Sequence, residues 1–330
     1  MDKLFHVITV GSATIDAFAE VDSKYAKKGA YKFPVGDKIL IKSLKFDVGG
    51  GGTNTAVAFA RLGLHTSFMG KLGQGENSRR IMNLLKNEKI DLSLIYRENA
   101  RTGYSVILDS KGKDRTILTY KGSNEDLKYS EINFERLSTE WFYFSSMTGE
   151  SFVTMEKLAD YASKNGIKIA FNPSEYIVSK GAKPLKGILE KLEILILNKE
   201  EAQLLIGKRK NKIELLLNEI RKLGPMMAVV TDGEKGAAAS DGEYYYYVKG
   251  HKVKVVETTG AGDAFASSFV AGMMKTNDVE FAMQLGIANA ESVIQHYGAK
   301  NILMKMGDAI RAIKKSPAKF KRKRIKQKKK

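Results

Sequence analysis

The chain has 330 residues, of which 43% are apolar and 28% charged, with no cysteine and a formal net charge of +18. That length can bury a large core, in one big α/β domain or two smaller ones. The missing cysteines exclude disulfides, thiolate zinc sites and a cysteine nucleophile. The opening "MDKLFHVITVG" is too short and polar for a secretory signal, and the apolar runs are too short to span a membrane; both point to a cytoplasmic protein with no membrane span.

In chain order, "LFHVITVG" reads as a first buried strand. Residues 13–46 follow as short extended pieces that break the later pattern. "DVGGGGTNTAVAFARLG" (47–63) is a glycine loop running into a helix. Consecutive glycines let the backbone approach a ligand closely and turn its amides inward. Asn54, at the helix start, offers a donor and an acceptor together. A dinucleotide turn belongs directly after the first strand; here the glycines come about forty residues after it, which counts against a Rossmann-type oxidoreductase. No Gly-Lys-Ser/Thr occurs, so this is not a P-loop.

Next come "HTSFMGKLG", a helix from about Asn77 to Asn87, and the alternating segment 101–120, where "DSKGKD" reads as a hairpin turn. With 13–46 it suggests a small inserted antiparallel sheet. The strands "EWFYFSS", "KIAFNPS", "EILILN" and "MAVVTDG" alternate with helical patterns such as "FVTMEKLADYASKNG" and "NKIELLLNEIRKLG". That alternation predicts a doubly wound, mostly parallel sheet flanked by helices, whose ligands bind beyond the carboxyl ends of the strands.

Three later motifs fall at such ends. Asn198 and Glu201 in "LNKEEAQLL" could hold a hydrated magnesium ion or simply cap a helix. Thr231, Gly233 and Gly236 in "VVTDGEKGA" form a loop or a plain turn. "ETTGAGDAF" (257–265) sets Asp263 among glycines where an apolar helix begins; Thr258 or Thr259 would serve as a cap, which leaves Asp263 surplus to capping. "EYYYYVKG" reads as a strand with tyrosines on both faces. The histidines at 6, 65, 251 and 296 lack ligand spacing. Residues 314–330 hold eleven Lys and Arg and no acid, leaving a net charge of +7 over the first 313 residues. They read as a disordered basic tail able to bind nucleic acid or another polyanion in a salt-dependent way.

Taken together and in order, these motifs resemble the ribokinase-like (PfkB) family of carbohydrate and nucleoside kinases. Gly49, Gly50, Gly52, Asn54 and Ala56 match its first signature, and Thr258 through Phe265 match its second. Asn198 with Glu201 matches its Asn-x-x-Glu motif, and Thr231, Gly233 and Gly236 match its Thr-x-Gly-x-x-Gly loop. The likeness covers about residues 4–305, within a kinase domain of 1–313. It implies ATP as phosphoryl donor and magnesium, with Asp263 as general base and the amides of Gly260, Ala261 and Gly262 as an anion hole. It further implies that Asp16, Gly50, Gly51, Gly52 and Asn54 contact a sugar, and that Asn198, Glu201, Thr231, Gly233 and Gly236 border the nucleotide, Glu201 reaching magnesium through water. Segments 13–46 and 101–120 correspond to the family's lid, often paired with a second lid in a homodimer. Glu257 replaces the family's usual Asp, and with Thr259 and Gly298 it marks the region of a potassium site. Gly51 stands where ribokinases often have Lys, and Ser145–Ser146 stand where ribose-specific members carry Glu. A small sugar is the expected acceptor and a nucleoside the alternative.

Overall fold

The computed structural model describes residues 4–27, 30–110, 115–208, 212–296 and 298–326. The first half runs β1 (Phe5–Val10), β2 (Thr14–Glu20), the short β3 (Ala26–Lys27) and β4 (Ala30–Tyr31), β5 (Ser43–Gly49), α1 (Gly51–Arg61) and β6 (Thr66–Leu72). It continues through α2 (Glu76–Asn87), β7 (Ile95–Arg97), β8 (Gly103–Asp109), β9 (Thr116–Tyr120) and β10 (Thr139–Ser145). Then follow α3 (Gly149–Lys164), β11 (Lys168–Asn172), α4 (Glu175–Val178), α5 (Lys186–Leu189), β12 (Ile194–Asn198), α6 (Lys199–Ile206) and α7 (Ile213–Arg221). The last part holds β13 (Met227–Thr231), β14 (Ala237–Ser240), β15 (Tyr244–Lys249), α8 (Ala261–Thr276), α9 (Val279–Ile294), α10 (Met306–Lys315) and β16 (Lys319–Arg324).

Ten strands form the main sheet in the order β16-β15-β14-β13-β12-β11-β10-β1-β6-β7. The seven from β13 to β7 are parallel and the last three in sequence antiparallel. The period-two alternation of a strand sends successive side chains to opposite faces. Thus Ile8, Val10, Phe142 and Phe144 pack in one cluster with α3 to α7, while Val7, Trp141 and Tyr143 join the other with α8 and α9. Both faces are covered, which is why these strands read as nearly continuous apolar runs. From β1 the strand order runs one way to β6 and β7 and the other way to β10, so the reversal lies at β1 and opens a crevice at the strand carboxyl ends.

A second sheet, β5-β2-β8-β9, comes from segments 13–46 and 101–120, with β5 running on to Gly49. Its outer pairs are antiparallel, as expected, but β2 and β8 pair in parallel, because the chain returns to β8 only after crossing the main sheet. Residues 111–114 of the expected hairpin turn lie outside the described residues.

The expectation of a disordered tail from 314 is corrected. Residues 314 and 315 complete α10, and Lys319–Arg324 is the edge strand β16, antiparallel to β15 through six register pairs from Tyr244↔Arg324 to Lys249↔Lys319. The hexamer "KFKRKR" has strand period after all. The Phe320 ring lies 6.3 Å from that of Tyr246, tilted by 30°, and the Arg322 guanidinium lies 3.7 Å above the Tyr244 ring. Charge counting alone missed that a sheet edge tolerates lysines and uses them to discourage edge-to-edge pairing. Residues 327–330 lie outside the described residues. Among the described residues no helix is long and apolar enough to cross a membrane.

Candidate active site

The crevice is built where α1 and α8 start. Gly50 precedes α1 with φ +96°, and a Cβ there would lie 2.4 Å from the Ser12 carbonyl oxygen. Only glycine lets the loop sit so close to the end of β1; the Gly52 amide donates to that same Ser12 carbonyl at 3.0 Å. Gly260 caps α8 with φ +81°, and a Cβ there would meet Ala299 at 2.4 Å. The first amides of any helix lack intrahelical partners. At α8 the Ala261 amide makes a long 3.3 Å bond to Thr258, and the amide end faces a cleft of about 360 Å³.

That cleft gathers much of what the sequence singled out. Gly51, Asn198, Glu201, Thr231, Gly260, Gly262 and Asp263 all line it, together with Ser12, Ser145, Ser146 and Asn172. Asn54 sits just behind, 7% exposed, and its Nδ2 donates to Asp263 Oδ2 at 2.8 Å. Burial pushes the Asp263 carboxyl above the usual range; the Asn54 bond and the charge of Lys300 pull it back, and Asp16 opposes them. Asp16 itself, on β2, accepts from Thr14 Oγ1 at 2.8 Å and is also raised chiefly by burial.

Asn198 and Glu201 close a capping box at α6, with Glu201 N–H donating to Asn198 Oδ1 at 2.8 Å and Asn198 N–H to Glu201 Oε2 at 2.9 Å. The capping alternative is therefore present in full, yet the same carboxylate faces the cleft. Burial pushes Glu201 up to about 7, helped by Glu175, Asp263 and Glu200. A carboxylate so placed among acids suits a cation with water in its shell.

Other expected residues lie off the cleft. Gly236 borders a separate hollow with Asp232 and Lys235 on the far side of the 231–236 turn, and Gly233 has open space around it. Glu257 accepts from the Thr259 hydroxyl and, at 3.1 Å, from the Gly298 amide, tying these three residues together; Tyr297 lies outside the described residues. Glu257 and Gly298 instead face a second cavity of about 800 Å³ beneath the small sheet, lined also by Phe18, Glu20, Asp47, Ile107 and Asp109.

Two residues escaped sequence reasoning. Arg115, just before β9, donates from Nη1 to Thr258 Oγ1 at 2.9 Å, and both residues line both cavities. No local pattern announces this, since the contact spans 143 residues and exists only once the small sheet is placed. Lys300, two residues past Gly298, is 3% exposed and donates to Asn54 Oδ1 at 2.6 Å and to the Val48 carbonyl. Burial pulls its ammonium below the ordinary lysine value, against the opposing pull of Asp47, Asp16 and Asp263. Among the described residues no cluster of three His, Asp or Glu forms a metal cage.

The pfkB family of carbohydrate kinases matches residues 5–306. A sugar kinase of Archaeoglobus fulgidus is 28% identical over 76% of this chain and 100% of its own length. The ribokinase of Bacillus subtilis is 26% identical over 89% of this chain and 94% of its own. Among solved structures, Arabidopsis thaliana ribokinase complexed with ribose and ATP superposes with a TM-score of 0.82 at 22% identity, covering 95% of this chain and 99% of that one. The Methanocaldococcus jannaschii nucleoside kinase gives 0.78 at 25%, covering 96% and 100%.

Proposed function

The chain belongs to the PfkB family of carbohydrate kinases, phosphotransferases with an alcohol acceptor, and from that premise we propose that it transfers the γ-phosphoryl group of ATP to a hydroxyl of a small neutral sugar, with Asp263 as general base. The observation that carries this is the placement of the Asp263 carboxylate, held by Asn54, in the cleft at the amide end of α8. In the transfer, the acceptor oxygen forms a bond to the γ-phosphorus and the bond from that phosphorus to the β–γ bridging oxygen breaks. The acceptor proton passes to Asp263 and then to water, and ADP leaves. Such transfers depend on positioning and charge stabilisation. The amides of Gly260, Ala261 and Gly262 supply the anion hole, and Arg115 supplies a positive charge from the edge of the small sheet, which acts as a lid.

Asn198 and Glu201 would hold a hydrated magnesium ion, which neutralises phosphate charge. Potassium, if it serves the enzyme, belongs at Glu257, Thr259 and Gly298; the Glu257 carboxylate already takes two donors there, and no step depends on it. Asp16, Gly50, Gly51, Gly52 and Asn54 form the sugar end, and Thr231 the nucleotide end, with Gly233 and Gly236 on the loop that leads away from it. Glu20, Asp47 and Asp109 beneath the lid favour a neutral polyhydroxy acceptor over a sugar phosphate. A nucleoside is the second reading, favoured by Phe18 and Ile107, register partners that both line the lid cavity and offer a base an apolar wall. The lid's outer face carries exposed Leu44, Phe46, Leu118 and Tyr120, and we assign it to the lid of a second copy. Its apolar surface is continuous with that of Ile15 and Val48, which enter the core.

The test is ADP release from Mg-ATP across free sugars, sugar phosphates and nucleosides, with Asp263→Asn in parallel. One acceptor class should turn over, and the variant should lose about 10²-fold or more. A folded protein silent on every acceptor, or an Asp263→Asn variant at full rate, would sink the proposal.

A further inference from the structure

Lys300 has no part in the mechanism above, yet it is a buried cation joined to the proposed base through one side chain. We infer that Lys300 is a positioning residue for phosphoryl transfer, its ammonium fixing the orientation of the Asn54 amide and, through it, of the Asp263 carboxylate. The inference rests on the reading of Asp263 as the base.

The argument is one of donors and acceptors. An ammonium can only donate, whereas an asparagine amide has one accepting and one donating end. Lys300 Nζ donates to Asn54 Oδ1 at 2.6 Å, so the oxygen of that amide must face the lysine. Nδ2 is then the end left for Asp263, and it donates to Oδ2 at 2.8 Å. Were the amide reversed, an oxygen would face the carboxylate, and the protonated acid would be the favoured form. The lysine is itself held at both ends. Its ammonium also donates to the Val48 carbonyl on β5, and its own carbonyl accepts from Arg61 Nη1 at 2.6 Å. Such a buried cation persists only where acids and acceptors surround it.

The charged groups facing this pair come from several elements. Around Lys300 stand Asp16 on β2, Asp47 on β5, Arg61 on α1 and Asp263 on α8. Toward Asp263 stand Asp16 and Lys300, with Glu201 on α6 and Tyr143 on β10, while Arg115 reaches the nearby Thr258. Only the lysine both adds positive charge and sets the amide.

The acidic limb of kcat against pH reads the base in the enzyme–substrate complex. Lys300→Met should move that limb upward by about one pH unit, so that kcat falls roughly tenfold on the limb while the high-pH plateau stays within about threefold of wild type. Asn54→Ser cuts the same relay at its other end and should move the limb the same way, and the double variant should move it no further than either single one. A merely structural lysine would lower kcat by one factor at every pH, and that result overturns the inference. If Lys300→Met does not fold, Lys300→Arg and Asn54→Ser decide: the limb must stay in the first and move in the second, and either failure overturns it. The two ideas fail separately. A fully active Asp263→Asn removes the base itself, whereas a silent Asp263→Asn beside an unmoved limb removes only the role of Lys300.

Discussion

Phe320→Ala tests whether the basic C-terminal segment belongs to the fold. Complete removal of a fully buried Phe side chain costs about 3–5 kcal/mol. Phe320 is half-buried, against Tyr246 on the neighbouring strand, so about half that, ~2 kcal/mol, is expected. At about 2.1 cal/mol/K per residue, a chain of 330 residues unfolds with an entropy of about 0.7 kcal/mol/K. The expected fall in Tm is therefore about 3 °C. Lys321→Ala, one position on and exposed, is the control and should shift Tm by under about 1 °C, within the usual range for surface changes. Backbone dichroism melts at one scan rate, without nucleotide, compare the three proteins. Urea curves check that the midpoint falls at constant m-value. If Phe320→Ala melts with wild type, β16 contributes nothing, and the strand assignment fails as an account of stability.

Glu201→Gln should stabilise the nucleotide-free protein more at pH 8 than at pH 5. The folded carboxyl is raised from 4.5 to about 7, so the native state holds its proton more tightly than the unfolded chain. The cost of ionising it in place is absent well below 4.5, grows between 4.5 and 7, and is complete above, where it is about 3 kcal/mol. Urea unfolding at both pH values checks this, and a gain no larger at pH 8 than at pH 5 contradicts it. On the lid, Leu118→Asp, at an exposed apolar position, should turn a dimer into a monomer in light scattering at micromolar concentration; a wild type that is already monomeric rejects the assigned interface.

Much of the architecture could be read because its signals are local. The runs "FYF" and "ILIL" are apolar at every position, as parallel strands covered on both faces must be, and glycines mark the starts of α1 and α8. Asp263 stood out for a physical reason, since a carboxylate among glycines at a helix start exceeds what capping needs. Illegible features were those defined by distance. Lys300 looks like one lysine among many until the fold carries it to Asn54, 246 residues away. Arg115 becomes a cleft residue only when the lid is in place. The strand at 319–324 was hidden for another reason: its alternation is between lysines and a mixture of Phe and Arg, so charge obscured the period that governs its two faces.

The relay from Val48 through Lys300 and Asn54 to Asp263 also says something about assembly. Its links join residues 252, 246 and 209 positions apart, so each closes a very long loop, and such contacts form only after shorter ones have set the frame. No fragment of the chain short enough to fold from local contacts contains this relay. A nascent or partly unfolded chain therefore has its helices and local strand pairs before Asn54 holds the Asp263 carboxylate, and on the proposed mechanism it is not yet able to spend ATP on water.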